Sequence, residues 1–110
     1  MRLGLGLGLN SANANARRPK PVNTVAPAIT GTAAQGQVLT TSDGTWLNTP
    51  ASYTYLWKHG DGSAAAATAT ASTYTLAAGD VGFTMVCQVT ATNSGGSAAA
   101  TSAATSAATG

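Results

Sequence analysis

Hydrophobic and polar residues alternate most regularly in two segments of the chain. Segment 53–57 places three of the few aromatic residues on one face, and segment 83–92 alternates apolar residues with polar ones. A period of two is typical of a half-buried strand, and aromatic residues favour strands. These two segments predict strands whose inward faces supply the core residues Tyr55, Trp57, Met85, Cys87 and Val89.

Shorter strand patterns occupy much of the remaining chain, and glycine, proline, aspartate and asparagine separate them. Val38 and Leu39 compete for the core face in one of these strands, and Pro27 breaks or bends another. Short strands with regular turn signals predict an all-β sandwich of about seven strands. The last residues are expected to fray. The shorter strands are predicted at 25–30, 37–42, 72–76 and 97–106, and Thr45-Trp46 follows a turn at Asp43-Gly44.

The first ten residues alternate leucine with glycine. An extended conformation places the leucines on one face, while the glycines contribute no side chain to the other. Glycine in a strand costs conformational entropy, so this segment predicts an extended arm that becomes ordered only against a partner. The predicted partner-binding leucines are Leu3, Leu5, Leu7 and Leu9.

Small polar residues and then a basic segment with two prolines follow the arm, which is typical of a partly stiff linker. We therefore assign 1–24 to an extended arm with a basic, proline-containing linker and 25–110 to a β-sandwich domain.

Charge is distributed unevenly along the chain. Four of the five Lys and Arg residues lie in the first twenty residues, whereas the remainder carries three Asp against Lys58. A basic tail on a mildly acidic body indicates contact with an acidic surface, either a protein lattice or nucleic acid, although a solvated leader is the simpler interpretation. The candidate contacts are Arg17, Arg18 and Lys20. So few charges, without aromatic residues between them, argue against specific nucleic-acid recognition.

Five short motifs carry a resemblance to a known family. Their order and spacing resemble a bacterial and bacteriophage immunoglobulin-like domain, of the kind found in phage virion proteins and bacterial surface proteins. The resemblance implies an immunoglobulin-like sandwich with Trp57 between the sheets, a virion or cell-surface role, and no shared catalytic residues. The motifs are Gly44-Thr45-Trp46, the aromatic segment 53–57, Ser72-Thr73-Tyr74-Thr75-Leu76, Asp80-Val81-Gly82 and the segment 89–97.

Candidate chemistry is sparse. His59 is the only histidine and stands at a predicted strand end beside a glycine turn, where we expect it to be solvated. The three aspartates fall in separate turns, and Asp80 is expected to cap its own turn. No catalytic residue, metal site or cofactor is therefore predicted. Cys87 has no second cysteine to pair with, so the sandwich is expected to be held by packing alone.

The sequence thus predicts a non-enzymatic structural protein of a bacteriophage virion. We expect a capsid decoration or head-fibre protein, docked through its arm to the major capsid protein or to copies of itself. The alternatives are a tail or collar accessory protein, or a carbohydrate-binding adhesion module for the bacterial surface with Trp46 as its glycan contact. No apolar segment reaches the length of a membrane helix and no export signal is evident, so we expect synthesis in the host cytoplasm, a location on the particle surface and no membrane partner.

Overall fold

The computed structural model describes residues 19–65 and 70–110. These residues form eight strands and one turn of 3-10 helix, and they contain no α-helix. The strands are β1 (Val22–Val25), β2 (Ile29–Thr30), β3 (Val38–Thr41), β4 (Thr45–Leu47), β5 (Ser52–His59), β6 (Thr73–Thr75), β7 (Met85–Asn93) and β8 (Gly96–Thr101), with the helical turn at Ala78–Asp80 between β6 and β7. The protein is therefore all-β, as predicted.

Two three-stranded antiparallel sheets form the sandwich, and a two-stranded ribbon accompanies them. The strand orders are β2-β3-β6 in one sheet, β5-β7-β8 in the other, and β1-β4 in the ribbon. Buried side chains from both sheets meet between them and exclude water, which is the main source of stability in such a layer structure. The core consists of Leu39, Trp57, Leu76, Met85, Cys87, Val89 and Ala108.

The long pair β5–β7 supplies most of the core, and its alternation is the one that the sequence predicted. Cα pairing places Tyr55 opposite Val89 and Trp57 opposite Cys87, so these side chains share the inward face. Trp57 is fully buried and stacks on Tyr74 of the other sheet at a ring-centroid distance of 5.8 Å. This aromatic contact joins the two sheets at the middle of the sandwich.

Long-range pairing decides the strands that the sequence left ambiguous. The predicted strand 25–30 is divided into β1 and β2 on either side of Pro27, and β1 already begins at Val22, within the segment that we assigned to the linker. Val22 extends there because it pairs with Leu47. In β3, Leu39 is buried and Val38 is exposed, so Leu39 takes the core face.

The prediction that the last residues fray was wrong. Beyond β8 the chain continues beside β7, and the backbone N–H groups of Ser102 and Thr105 donate to the carbonyls of Cys87 and Met85 at 2.9 Å each. The two hydroxyl groups accept hydrogen bonds in return from the backbone N–H groups of Cys87 and Met85. Serine and threonine side chains therefore replace regular ladder bonds in a segment that looked too polar and too small to pack.

The end of the chain also joins two other segments. Ala108 is buried and bridges Val81, and Thr109 bridges Ala34, both in parallel orientation. The Thr109 N–H donates to the Ala33 carbonyl at 3.0 Å. These pairs close one edge of the sandwich.

Gly44 is required by the close approach of β1 to the turn before β4. Its φ is +79°, and a Cβ atom there would lie 2.4 Å from the Val25 carbonyl oxygen. Only glycine adopts this conformation and this contact at little cost. The predicted Asp43-Gly44 turn thus fixes where the ribbon begins to pair.

Candidate functional site

Two asparagines hold the chain at the point where it enters the sandwich. The buried Asn93 donates from Nδ2 to the Pro19 carbonyl at 2.9 Å and to the Asn48 carbonyl at 2.7 Å. Asn48 donates from its own Nδ2 to the Lys20 carbonyl at 2.9 Å. We call Asn48 and Asn93 the exit clamp, because they bind the backbone carbonyls of Pro19 and Lys20, the first two residues that the structure describes.

Local turn chemistry places both amides of the exit clamp. Asn93 ends β7, and its Oδ1 accepts the Gly95 N–H at 2.7 Å within the β7–β8 hairpin. Asn48 has a φ of +71°, a left-handed conformation that asparagine tolerates better than most residues. The sequence pointed to Asn93 only as a hairpin residue and gave no sign of Asn48, because their partners lie 74 and 28 residues away.

The ribbon beside the exit clamp exposes apolar side chains. Val22 pairs with Leu47 and Val25 pairs with Thr45, so these residues share the side of the ribbon that faces away from the core. Val22, Val25 and Leu47 are about half exposed, at 48%, 57% and 53%, and we call them the ribbon face. Exposed apolar residues that cluster on one face mark candidate interaction surfaces.

Most of the residues predicted to bind a partner lie outside the described residues. Lys20 is described, and its side chain is exposed next to the exit clamp. The others are Leu3, Leu5, Leu7, Leu9, Arg17 and Arg18.

Trp46, the candidate glycan contact, lies on the core side of the ribbon. Its ring is half-buried against the core, and Nε1 donates to the Asp43 carbonyl at 2.7 Å. The Asp43 side chain accepts the Tyr55 hydroxyl at 2.5 Å, and this hydrogen bond together with burial raises the pKa of Tyr55 to about 12. The contacts of Trp46 therefore favour a structural role over a sugar-stacking platform.

His59 is the last residue of β5, at the end of that strand far from the exit clamp. The expectation that it is solvated was wrong. The residue is only 8% exposed, and its ring stacks on Phe83 with a centroid distance of 4.0 Å and an interplanar angle of 8°. Its Nε2 atom lies 2.7 Å from Oδ1 of Asp80. The histidine is buried because a carboxylate and an aromatic ring replace water around it.

Asp80 is the centre of this buried cluster and is 2% exposed. Its Oδ2 accepts the Tyr74 hydroxyl at 2.5 Å and the Ala77 N–H at 2.9 Å, so it caps its own turn as expected. Burial alone would raise the pKa of the Asp80 carboxyl, but the hydrogen bonds from Tyr74, Ala77 and His59 outweigh burial and hold that pKa below its ordinary value.

Asp80 also ties the two sheets together, since Tyr74 lies on β6 and His59 on β5. The expectation that packing alone holds the sandwich was therefore wrong. Burial and the bond to Asp80 raise the pKa of Tyr74 to about 12, so the hydroxyl keeps its proton and remains a donor. Sequence reasoning missed this tie because His59 and Asp80 are 21 positions apart.

Ser63, His59 and Asp80 have the residue types of a hydrolase triad but a different hydrogen-bonding pattern. Ser63 Oγ lies 3.1 Å from His59 Nδ1, and its hydroxyl donates to Asp61 Oδ1 at 2.7 Å. A nucleophilic serine gives its proton to the histidine instead. The hydroxyl of Ser63, an exposed residue, is thus directed to Asp61 and not to His59.

Within 19–65 and 70–110, no three His, Cys, Asp or Glu side chains lie close enough to hold a metal ion. Cys87 is buried between the sheets, and burial raises the pKa of its thiol. The same residues include no helix of the length and apolar character needed to cross a membrane.

Two of these polar groups lie at opposite ends of β7, the exit clamp at one end and the His59–Asp80–Tyr74 cluster at the other.

Comparisons with protein-family models, with curated proteins and with solved structures find no match to this chain.

Proposed function

We propose that this protein is a non-enzymatic structural component of a bacteriophage virion, docked through its N-terminal arm with the sandwich exposed as a capsid decoration or head fibre. The observation that carries the proposal is the exit clamp. The buried Asn93 amide binds the Pro19 carbonyl, and Asn48 binds the Lys20 carbonyl. The arm therefore leaves the folded body from one fixed point at one end, as an anchored projecting domain requires.

The order of the strands supports the immunoglobulin-like part of the proposal. One sheet has the order β2-β3-β6 and the other β5-β7-β8. In immunoglobulin-type sandwiches, strands A, B and E are neighbours in one sheet and strands C, F and G form the other. The two sheets of this chain match that arrangement when β2, β3 and β6 are taken as A, B and E, and β5, β7 and β8 as C, F and G. A tryptophan fills the gap between the sheets on β5, as the resemblance implies.

Docking would use the leucine side chains and the backbone of the arm together. An alternating Leu/Gly segment suits strand addition, because the glycines let a neighbouring backbone approach while the leucines fill pockets. Arg17, Arg18 and Lys20 would meet an acidic surface, for which the major capsid protein is the leading partner and copies of this chain the next. The ribbon face lies beside Lys20 and would add apolar contact area at the base of the domain.

The proposal is tested by changing the arm in a phage that carries this gene. Replacement of Leu3, Leu5, Leu7 and Leu9 by serine should remove the protein from purified particles, as measured by mass spectrometry of the virion. Circular dichroism of the isolated variant should show a folded sandwich.

The control is Val38→Ser, which makes the same kind of apolar-to-serine change at an exposed residue of the sandwich, on β3, with an exposed fraction of 51%. This variant should enter particles normally. Incorporation of the arm variant at the wild-type level would refute docking through the arm.

A further inference from the structure

The ribbon face is one continuous apolar surface. Val22, Val25 and Leu47 each keep about half of their surface exposed, and Val22 pairs directly with Leu47 across β1 and β4. The side chains of such a cross-strand pair contact each other, and Val25 adjoins them on the same side of the ribbon. A surface of this kind is stabilised when other apolar side chains cover it and remove it from water.

The polar groups around the ribbon face already have partners. Where the register shifts between Asn23 and Val25, Asn23 donates from Nδ2 to the Val25 carbonyl at 2.9 Å and to the Thr45 carbonyl at 3.1 Å. The Thr24 hydroxyl also donates to the Thr45 carbonyl at 3.2 Å. These carbonyls keep their hydrogen bonds when the face is covered, so covering it does not incur the cost of unpaired buried acceptors.

The N-terminal arm joins the sandwich next to the ribbon face. The exit clamp holds the Pro19 and Lys20 carbonyls, and β1 begins at Val22. Three residues span at most about 10 Å, so the whole face, as far as Val25, lies within about 20 Å of Pro19. Residues 1–18 are therefore attached beside this surface.

The attached segment carries a matching set of apolar side chains. Nine residues, 10–18, separate the last arm leucine from Pro19. A coil of nine residues spans about 17 Å on average and about 30 Å at full extension, so the leucines reach every part of the ribbon face. A tether this short gives an effective concentration of about 1 mM, which favours the arm of the same chain over that of another copy in dilute solution. The leucines are Leu3, Leu5, Leu7 and Leu9.

We propose that the ribbon face is the binding site of this chain's own arm, residues 3–9, in the free protein. The arm leucines pack on Val22, Val25 and Leu47, so the apolar surfaces of arm and body leave water together. The glycines between them let the arm backbone approach the ribbon closely. A free copy of the protein then exposes neither apolar surface to other proteins.

Self-docking makes release of the arm a step in binding to any partner that uses the leucines. Such a partner displaces them from the ribbon face, so its apparent affinity is lower by the fraction of copies whose arm is free. Transfer of the arm also uncovers the ribbon face, which then becomes available to the same partner. The inference concerns the free chain and does not depend on the proposed virion role.

The first test follows the ribbon face by methyl NMR of the full chain. Replacement of the four arm leucines by serine should shift the methyl signals of Val22, Val25 and Leu47. Val38 is the internal control, because it is 51% exposed but lies on β3, outside the ribbon. Its signals should not move. Unchanged ribbon signals, or a shift of equal size at Val38, would refute a specific site for the arm.

The second test identifies the copy that supplies the arm. A nitroxide is attached through Asn10→Cys, since Cys87 is buried and burial raises the pKa of its thiol. In a chain that carries both the nitroxide and isotope-labelled methyls, the signals of Val22, Val25 and Leu47 should broaden. Broadening of an isotope-labelled chain by a separate nitroxide-labelled chain would show that a second copy supplies the arm, and would overturn the proposal.

The third test changes the face instead of the arm. Thermolysin cleaves before leucine, and its rate on the arm follows the fraction of copies whose arm is released. Leu47→Ser should raise that rate about tenfold, because one leucine contact of the docked arm is lost. Val38→Ser, the matched control, should leave it unchanged, and circular dichroism should show that both variants are folded. Equal cleavage rates in the two variants would contradict docking on the ribbon face.

Discussion

The two ends of the sandwich each join segments that are distant in sequence, but they do so with different chemical groups. At the exit end, the buried Asn93 joins Pro19 to Asn48 through neutral amide hydrogen bonds. At the far end, the buried Asp80 joins His59 to Tyr74 through a carboxylate. Each side chain ties together segments that are distant in sequence. Only the second one carries a charge.

This difference sets how each end responds to its surroundings. An asparagine amide does not titrate, so the exit clamp keeps the same hydrogen bonds across the whole pH range. A buried carboxylate is costly unless every partner stays in place, and one partner of Asp80, the Tyr74 hydroxyl, is itself a titratable group. The hydrogen bonds of the exit clamp are therefore independent of pH, whereas those at the opposite end of the sandwich depend on it.

The largest effect is expected from Asp80→Ala. The change leaves the Tyr74 hydroxyl, the Ala77 N–H and the His59 imidazole without their shared acceptor. We expect the free energy of unfolding to fall by about 3 kcal/mol or more, because three groups each lose a hydrogen bond to a buried acceptor, at about 1–3 kcal/mol apiece. Urea denaturation followed by circular dichroism measures it. A loss below about 1 kcal/mol would mean that the tie between the sheets contributes little.

Asn93→Asp should make the exit end depend on pH as well. An ionised carboxylate cannot donate to the Pro19 and Asn48 carbonyls, and it repels both oxygens. We expect a loss of about 2–3 kcal/mol at pH 7, the cost of leaving buried acceptors unpaired. The loss should shrink as the pH falls and the carboxyl takes up a proton, because the protonated carboxyl then donates to one of the two carbonyls. Equal losses at pH 3.5 and pH 7 in urea titrations would contradict this account, and Asn93→Ala serves as the control without pH dependence.

A smaller and more gradual effect is expected from pH alone. The pKa of Asp80 is lowered in the folded state, so its contribution to stability is complete above about pH 4, the range of an unperturbed aspartate, and is lost as pH falls through the folded value. The pKa of Tyr74 is raised to about 12, so its contribution is complete below about pH 10 and is lost as pH rises through the folded value.

Tyr74→Phe isolates the contribution that Tyr74 makes to the dependence of stability on pH in alkaline solution. Removal of the hydroxyl should cost about 1.5 kcal/mol at pH 7, typical of a hydrogen bond to a charged group. The cost should diminish above pH 10, because the hydroxyl of the unfolded wild-type chain then loses its proton while the folded hydroxyl, with a pKa of about 12, still keeps it. Melting temperatures at pH 7 and pH 11 provide the measurement, and an unchanged difference between the two proteins would count against the assignment.

The sequence predicts the parts of this fold that depend on local alternation. The inward face of β7 and the aromatic face of β5 follow from a period of two, and the all-β class follows from the spacing of turns. The burial of His59 does not follow, because its partner Asp80 is brought to it only when β6 and the helical turn pack against β5. The exit clamp is likewise absent from any local pattern, since Asn48 and Asn93 are 45 positions apart.

The C-terminal segment shows a second limit of pattern reading. Residues 102–109 contain only alanine, serine and threonine, a composition that suggests a frayed tail. The hydroxyls of Ser102 and Thr105 nevertheless accept backbone N–H groups of β7. Hydropathy does not register hydrogen bonds of this kind, so the prediction of fraying overlooked them.

The position of Gly110 has a practical consequence for protein engineering. Its preceding residue bridges Ala34, and the glycine itself lies beside Val81, close to Asp80 and away from the exit clamp. The nine residues of β7 separate these two regions, a span of about 27 Å for a regular strand. A reporter or peptide epitope fused after Gly110 would thus be displayed at the end opposite the exit clamp, and a short flexible spacer would keep the cargo from pulling Thr109 out of its pairing.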